Sequence, residues 1–168
     1  MALILQAEQE EWRLLVQEMG PKLAAYLQKI GAGVEEARDA YQTALTGAWR
    51  RRREIDDLRA YIWVAAKNAY LKSPAEPSPV PLGEVEIPLP ACRLPDFAVE
   101  RREELRRVLK AMQKLPFDQR DALAQAASGF RSAEIAKNMG RTEQAVRQLV
   151  SRGRARLKQI LAAEGGEG

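Results

Sequence analysis

The sequence predicts an all-α protein of two small helical domains joined by a proline-rich linker. Apolar residues recur at three- and four-residue spacing on both sides of the chain's middle. Seven of the nine prolines fall within residues 73–95, and proline both breaks helices and lacks an amide donor. We therefore divide the chain into a helical domain at 1–72, a linker at 73–98, a second helical domain at 99–162 and a disordered tail at 163–168.

The N-terminal domain is predicted to be a small helical bundle. A first apolar face ends where Gly20-Pro21 interrupts the periodicity, and a second continues to Ile30. Two more helices are expected at about 34–52 and 57–72, with Asp56 or Asp57 as the N-cap of the latter. The first face consists of Trp12, Leu15, Val16 and Met19.

The C-terminal domain is predicted to contain a helix-turn-helix. An amphipathic helix stops at Pro116, and shorter helices follow at about 118–127, 132–139 and 142–162. The last two have a small residue where they cross, a glycine in the turn and two apolar anchors, which is the spacing that this motif needs. These residues are Ala136, Gly140, Val146 and Leu149.

The outward side of the last helix carries side chains suited to DNA. Gln and Arg can each make paired hydrogen bonds to adenine and guanine edges, and further basic residues suit phosphates. The alternative is an ordinary helical hairpin with a solvated basic face. The outward residues are Arg141, Glu143, Gln144, Arg147, Gln148 and Ser151, followed by Arg152, Arg154, Arg156 and Lys158.

The net charge of +4 is spread unevenly along the chain. Residues 1–49 hold four Lys/Arg against seven Asp/Glu, a balance of −3, whereas residues 50–72 hold seven against three, or +4, and residues 141–158 six against one, or +5. Two separated basic patches favour an extended anionic partner. The sharpest concentration is the arginine run Arg50, Arg51, Arg52 and Arg53, for which a solvated surface is the alternative.

Several classes of function are disfavoured. Cys92 is the only cysteine and histidine is absent, so an internal disulfide, histidine acid–base catalysis and the usual zinc ligands are excluded. We expect neither a cofactor nor a metal, and no enzymatic activity. Because no apolar run is long enough to cross a membrane and the N-terminus lacks a secretion signal, we expect a cytoplasmic protein without a membrane partner.

The C-terminal motifs resemble region four of bacterial RNA polymerase sigma factors of the small extracytoplasmic-function type. A family motif of the LPxxxR kind corresponds to Leu115-Pro116-Phe117-Asp118-Gln119-Arg120. The helix-turn-helix that follows matches at Glu134-Ile135-Ala136, Met139-Gly140, Thr142, Val146-Arg147, Arg152-Gly153-Arg154 and Leu157. The resemblance covers about 99–161.

The N-terminal domain resembles region two of the same family. Residues 34–49 correspond to the family's acidic helix, and residues 59–68 to its helix of the RAWLxxIARN kind. Ala40-Tyr41 stands where the family has Leu-Val, Thr43 replaces an acid and Tyr61 replaces a tryptophan. The chain is therefore identified as a divergent member.

The resemblance implies an alternative sigma factor that binds core polymerase, through its β and β′ subunits, and directs promoter recognition and opening. An anti-sigma factor is a further candidate partner. For duplex DNA of the −35 element, the resemblance implies contacts by Arg141, Thr142, Glu143, Gln144, Arg147, Gln148, Ser151, Arg152 and Arg154. For core polymerase it implies Asp39, Gln42, Leu45 and Trp49.

The resemblance also implies that the N-terminal domain holds the −10 element as a single strand. Capture of a single strand needs cations and aromatic faces, and Arg59, Trp63, Lys67 and Tyr70 are spaced to form one stripe along a helix, opposite its apolar face. The expected single-strand residues are Arg50, Arg51, Arg52, Arg53, Arg59, Tyr61, Trp63, Lys67, Asn68 and Tyr70. The alternative for Trp63 is that it covers the edge of the core.

Two other functions remain open at this point. A stand-alone helix-turn-helix regulator would use the N-terminal bundle for dimerisation or sensing and would need a two-fold symmetric site. A nucleic-acid enzyme such as a recombinase would need a nucleophile or carboxylate cluster, which the sequence does not show.

Overall fold

Seven α-helices and no strand make up the described part of the chain, residues 1–72 and 99–166 of the computed structural model. The prediction of an all-α protein with two helical domains is confirmed. The predicted linker, including Cys92, lies outside the described residues. Within them, none of the helices has the combination of length and apolar character that a membrane crossing requires. The helices are α1 (Ala2–Ile30), α2 (Val34–Arg51), α3 (Leu58–Lys72), α4 (Val99–Met112), α5 (Phe117–Ala127), α6 (Ser132–Met139) and α7 (Glu143–Gly165).

Helix α1 is continuous, so the predicted break at Gly20-Pro21 is wrong. A proline ring normally clashes with the Cβ of the residue before it, and Gly20 has no Cβ. Packing supports the helix at the same point, because the Tyr41 hydroxyl of α2 donates a 3.0 Å hydrogen bond to the carbonyl oxygen of Val16. The second half of α1 is buried, at Met19, Leu23, Tyr26, Leu27 and Ile30.

Helices α2 and α3 pack against each other and against α1. Their contact is made by small residues on α2, which let the helix axes approach closely, and by larger side chains on α3. The backbone amide of Ala60 donates to Asp57 Oδ1 at 3.0 Å, which confirms Asp57 as the N-cap of α3. The buried residues are Ala37, Ala40, Ala44 and Ala48 on α2 and Ile62, Trp63 and Ala66 on α3.

The helix-turn-helix forms as predicted. Gly140 ends α6 in the left-handed region at φ +64°, a conformation that glycine adopts without strain. The side chain of Thr142 accepts the amide of Ala145 at 3.1 Å and so caps α7. Helix α7 extends to Gly165, so the first three residues of the predicted disordered tail are helical; residues 167–168 lie outside the described part.

The two domains share one apolar core. Leu23 and Leu27 of the N-terminal domain are buried in the same cluster as Met112, Leu115 and Leu123 of the C-terminal domain. Helix α1 provides most of this contact, because it packs on both α5 and α4. The N-terminal bundle is therefore partly covered by the C-terminal domain.

Candidate nucleic-acid interface

Helix α7 and the two residues before it, Arg141 and Thr142, present all of the residues that were predicted to contact duplex DNA. The nine side chains are exposed, while Val146 of the same helix is completely buried against α6. Arg147 is held toward Glu143 by a 2.6 Å ion pair one turn apart. The exposed residues are Arg141, Thr142, Glu143, Gln144, Arg147, Gln148, Ser151, Arg152 and Arg154.

A groove beside α7 adds to this surface. Its walls come from α6 and α7, with Phe130, Ile135 and Val150 among its apolar residues. Arg147 and Arg154 also line it. A DNA backbone lying along this groove would place its phosphates near the two arginines and its sugars near the apolar side chains.

Gly153 fixes how closely α7 approaches α5. A Cβ at this position would lie 3.3 Å from the backbone oxygen of Gln119, which is closer than an ordinary contact. The residue is buried in the middle of an otherwise polar stretch. The sequence showed Gly153 only as part of a family motif and gave no packing role for it, because nothing local marks which helix it faces.

Arg120 of α5 donates hydrogen bonds to carbonyls at the C-terminal ends of two helices, α4 and α1. Its Nε donates to the Met112 carbonyl at 3.1 Å, and its Nη2 donates to the carbonyls of Gln113 at 2.9 Å and Leu115 at 3.0 Å. Its Nη1 donates to the Ile30 carbonyl at the end of α1, at 3.0 Å. The last carbonyls of a helix have no partner within it, so this one side chain satisfies both α4 and α1. Burial lowers the pKa of Arg120.

The arginine run turns back onto its own domain. The Arg52 guanidinium lies 3.8 Å from the ring centroid of Trp49 and also donates to the Trp49 carbonyl at 2.9 Å. Arg52 and Arg53 approach Glu8 at 3.6 and 3.4 Å. Arg51 pairs with Glu54 at 3.3 Å. Arg50 is exposed, and it forms no ion pair with any residue in the described ranges.

The predicted stripe on α3 is not a single open surface. Arg59 is exposed and holds Glu18 of α1 through two hydrogen bonds, of 2.5 and 2.7 Å. Trp63 is only 2% exposed, so the expectation that it faces outward is wrong. Lys67 and Tyr70 are partly covered. Trp63 lies between the rings of Tyr26 in α1 and Phe130 in the C-terminal domain, with centroids 4.5 Å from each, and Lys67 donates to Asp121 of α5.

The other residues expected at the single strand lie at the edges of this surface. Asn68 is exposed. Tyr61 is half-buried, with the Arg51 guanidinium 5.9 Å from its ring centroid. Both side chains are at least partly open to solvent. Their assignment to DNA stays a prediction.

The four residues predicted to contact polymerase divide into two pairs. Asp39 and Gln42 are exposed, three residues apart on α2. Leu45 is half-buried against the core, and Trp49 packs edge-on against Trp12 with ring centroids 5.1 Å apart. The first pair is open to a partner, while the second supports the helix beneath.

A buried polar cluster joins the two domains, and sequence reasoning missed it. Asp121 of α5 is 1% exposed. It accepts hydrogen bonds from the Tyr26 hydroxyl at 2.6 Å, from Lys67 Nζ at 3.1 Å and from Gln125 Nε2 at 3.0 Å. Asn138 of α6 donates in turn to Gln125 Oε1 at 3.1 Å. The sequence feature that could have revealed this cluster is the spacing of Asp121 and Gln125, which lie one turn apart on the inward face of α5.

Burial also affects the tyrosine of this cluster. Burial away from water raises the pKa of Tyr26 far above its ordinary value, and the nearby Asp121 carboxylate raises it further. The hydroxyl therefore stays protonated and acts as a donor to Asp121. Three donors around one carboxylate are the arrangement that allows a buried charge to persist.

Comparisons with known proteins agree with this geometry. Residues 105–157 match the family model of sigma-70, region 4. No curated protein sequence matches the chain. The chain shares the fold of CnrH in complex with the cytosolic domain of CnrY, with a TM-score of 0.70 and 23% identity over 92% of this chain and 90% of that one. It also shares the fold of the sigma factor RpoE in complex with the anti-sigma factor NepR from Bartonella quintana, with a TM-score of 0.67 and 20% identity over 94% and 98% of the two chains.

The predicted identification is confirmed at two levels. The sequence of residues 105–157 matches the model of sigma-70, region 4, and this stretch contains α5, α6 and most of α7. Over nearly the whole chain, including the N-terminal domain, the agreement is one of fold.

Proposed function

We propose that this chain, which has the sequence of sigma region four in its C-terminal domain and a sigma-factor fold over its length, is an alternative sigma factor. It binds core RNA polymerase and directs it to promoters, without catalysing a reaction of its own. The observation that carries the proposal is the exposed surface of α7 and of Arg141 and Thr142 just before it, where nine side chains suited to bases and phosphates lie around a buried Val146. We place its action in the cytoplasm, where polymerase works.

The C-terminal domain would read duplex DNA. Thr142 and the first turn of α7 would enter the major groove, where Gln144, Arg147 and Gln148 are within reach of base edges. Arg152 and Arg154 follow along the helix toward the phosphates. The family assignment of this domain supports the role.

The N-terminal domain would bind core polymerase and the melted strand. Asp39 and Gln42 form an exposed acidic and polar patch on α2, and the N-terminal 49 residues carry an excess of three negative charges, which suits a basic docking surface. Arg50, which forms no ion pair with any described residue, and the exposed ends of α3 would supply phosphate contacts.

An anti-sigma factor is a proposed partner. The two solved structures named above were determined as complexes, one with the cytosolic domain of CnrY and one with the anti-sigma factor NepR. The likeness to these two structures extends over at least 92% of this chain and so includes both domains.

Reconstitution with core polymerase tests the proposal. The purified chain is mixed with core RNA polymerase, and transcripts are sequenced from a library of random upstream sequences. We expect a stable holoenzyme and one enriched promoter. Gln148→Ala should relax selection at one position of that promoter, because a good side-chain-to-base pair is worth about 1–3 kcal/mol.

Gln159→Ala is the matched control. Gln159 is exposed on the same helix, about three turns further along, and should leave selection unchanged. If no holoenzyme forms, while the chain alone protects a palindromic duplex, it is a stand-alone regulator and the proposal is wrong.

A further inference from the structure

The reading end of α7, residues 141–148, has both of its arginines paired with carboxylates. Arg141, which comes just before the helix, donates to Asp118 in the first turn of α5. Arg147 donates to Glu143 at 2.6 Å. In a helix-turn-helix, this end of the second helix meets the base edges. Two positive charges are therefore each matched by a negative charge at the place where bases would be read.

The basic stretch further along α7 is different. Residues 152–158 contain four cations and no acid. None of the four forms an ion pair with any residue in the described parts of the chain. They are exposed or half-exposed at the end of the helix that follows the reading end, where phosphates would bind. The four are Arg152, Arg154, Arg156 and Lys158.

A guanidinium that is already paired responds differently to a phosphate and to a base. A phosphate that approaches Arg147 also approaches the Glu143 carboxylate, and the two negative charges repel each other. A guanine edge is uncharged and offers two acceptors. Because arginine has five N–H donors, Arg147 can keep Glu143 on Nη2 and donate to guanine through its other nitrogens. The ion pair therefore opposes phosphate contacts more than base contacts.

We propose that Asp118 and Glu143 are specificity-determining residues of the duplex-reading surface. They keep Arg141 and Arg147 from binding the phosphates of any sequence and leave both arginines for base edges. The inference rests on the proposed function, in which the C-terminal domain reads duplex DNA. Phosphate contacts carry no sequence information, so weakening them at the reading end lowers the affinity for wrong sequences more than for the right one.

Both ion pairs are open to solvent, so the fold does not depend on them. The side chains of Arg147 and Glu143 are 67% and 46% exposed, and those of Arg141 and Asp118 are 43% and 49% exposed. Ion pairs in such positions contribute little to stability. Removing either carboxylate should therefore leave the domain folded and change only how the arginines meet DNA.

The test compares two duplexes, each titrated with the full-length chain. One is the sequence that the unaltered chain enriches from a pool of random duplexes, and the other has the same composition in scrambled order. Fluorescein anisotropy gives both affinities. Glu143→Gln and Asp118→Asn should each tighten binding to the scrambled duplex about two- to fivefold, because a freed arginine no longer has to leave a carboxylate. Binding to the enriched duplex should tighten less, so the ratio of the two affinities falls.

Glu164→Gln is the matched control. It removes the same charge from the same helix, where Glu164 pairs with Lys114 at 2.6 Å. The position lies about six turns beyond Glu143, or about 30 Å, which exceeds the Debye length of about 10 Å at 0.1 M salt. Both affinities should equal those of the unaltered chain. If Glu143→Gln and Asp118→Asn bind the scrambled duplex no tighter than this control does, the proposal is wrong.

A double-mutant cycle shows whether Glu143 acts through Arg147. In an Arg147→Ala background no guanidinium remains to be freed, so Glu143→Gln should change the scrambled-duplex affinity much less than it does in the unaltered chain. Circular dichroism checks that each variant is folded, and Glu143→Gln carries the test alone if Asp118→Asn is not. Equal tightening on both duplexes, or the same effect without Arg147, would overturn the proposal.

The outcomes separate the inference from the function on which it rests. If a holoenzyme forms and selects a promoter but the affinity ratio is unchanged in both variants, the inference fails and the sigma function stands. If no holoenzyme forms and the ratio still falls, the proposed function fails, while the two carboxylates keep their role in a duplex-reading domain. A pool from which no sequence is enriched would refute the inference, since there would be no specificity for them to determine.

Discussion

Replacing Arg120 with lysine tests how far one side chain holds the two domains together. Arg120 makes four hydrogen bonds of 2.9 to 3.1 Å to the carbonyls of Met112, Gln113, Leu115 and Ile30. A planar guanidinium can serve all four at once, whereas an ammonium is a compact donor that cannot span them. We expect lysine to keep one or two of the four bonds.

The expected loss follows from the number of bonds broken. A hydrogen bond from a charged donor contributes about 1.5–3 kcal/mol when buried. This guanidinium is only partly buried, so we take about 1 kcal/mol for each lost bond, or about 2–3 kcal/mol in total. With a urea dependence near 2 kcal/mol per molar, the midpoint of unfolding should fall by about 1–1.5 M.

Urea titration followed by circular dichroism measures the shift. Arg131→Lys is the control, because the Arg131 side chain is 86% exposed and its ion pair with Glu134 is long, at 3.8 Å. That substitution should change the free energy of unfolding by less than about 0.5 kcal/mol. If Arg120→Lys shifts the midpoint no more than Arg131→Lys does, the four carbonyl bonds contribute nothing measurable and the reasoning is wrong.

Three further predictions concern single positions. Thr142→Ala removes the cap on the Ala145 amide and should lower the free energy of unfolding by about 1 kcal/mol, while Thr142→Asn restores most of it in the same urea titration. Gly140→Ala should cost about 1–2 kcal/mol from backbone strain alone, since φ is +64° and nothing lies within 4 Å of the added Cβ; a neutral result would contradict the left-handed conformation. Burial raises the pKa of Tyr41 to about 12, so the unfolded chain ionises first and stability should fall as the pH rises above about 10. Tyr41→Phe should flatten that fall between about pH 10 and 12, as measured by thermal unfolding across pH.

The helix-turn-helix was predictable because its rules are local. A threonine that caps, a glycine that takes a positive φ and apolar anchors at fixed spacing are all read within a window of a few residues. Thr142, Gly140 and Val146 each hold the predicted place. The exposed face of α7 follows from those anchors by helical periodicity.

The continuity of α1 and the burial of Trp63 were not predictable in this way. Pro21 carries a strong local signal for a break, which packing of α2 on the preceding turn outweighs. Trp63 packs between Tyr26 of its own domain and Phe130 of the C-terminal domain, so the outward position predicted from the stripe is buried. The apolar periodicity of α3 contains no information about a residue of the other domain. Asp121, for example, contacts Lys67 but lies 54 residues away from it in the sequence.

Because the arginine run folds back onto its own domain, it should contribute little to the salt dependence of single-strand affinity. Counterion release makes the logarithm of affinity fall with the logarithm of salt concentration, by about 0.7 for each phosphate of a single strand that is neutralised. Four free arginines would add roughly 2.8 to that slope. Arg51, Arg52 and Arg53 already pair with Glu54 or Glu8, so while these pairs hold they do not neutralise phosphates or release the counterions of the strand. The run should therefore add only about 0.7 to this slope, which is the contribution of Arg50. A count of the charges in the sequence would predict a stronger dependence of single-strand affinity on ionic strength.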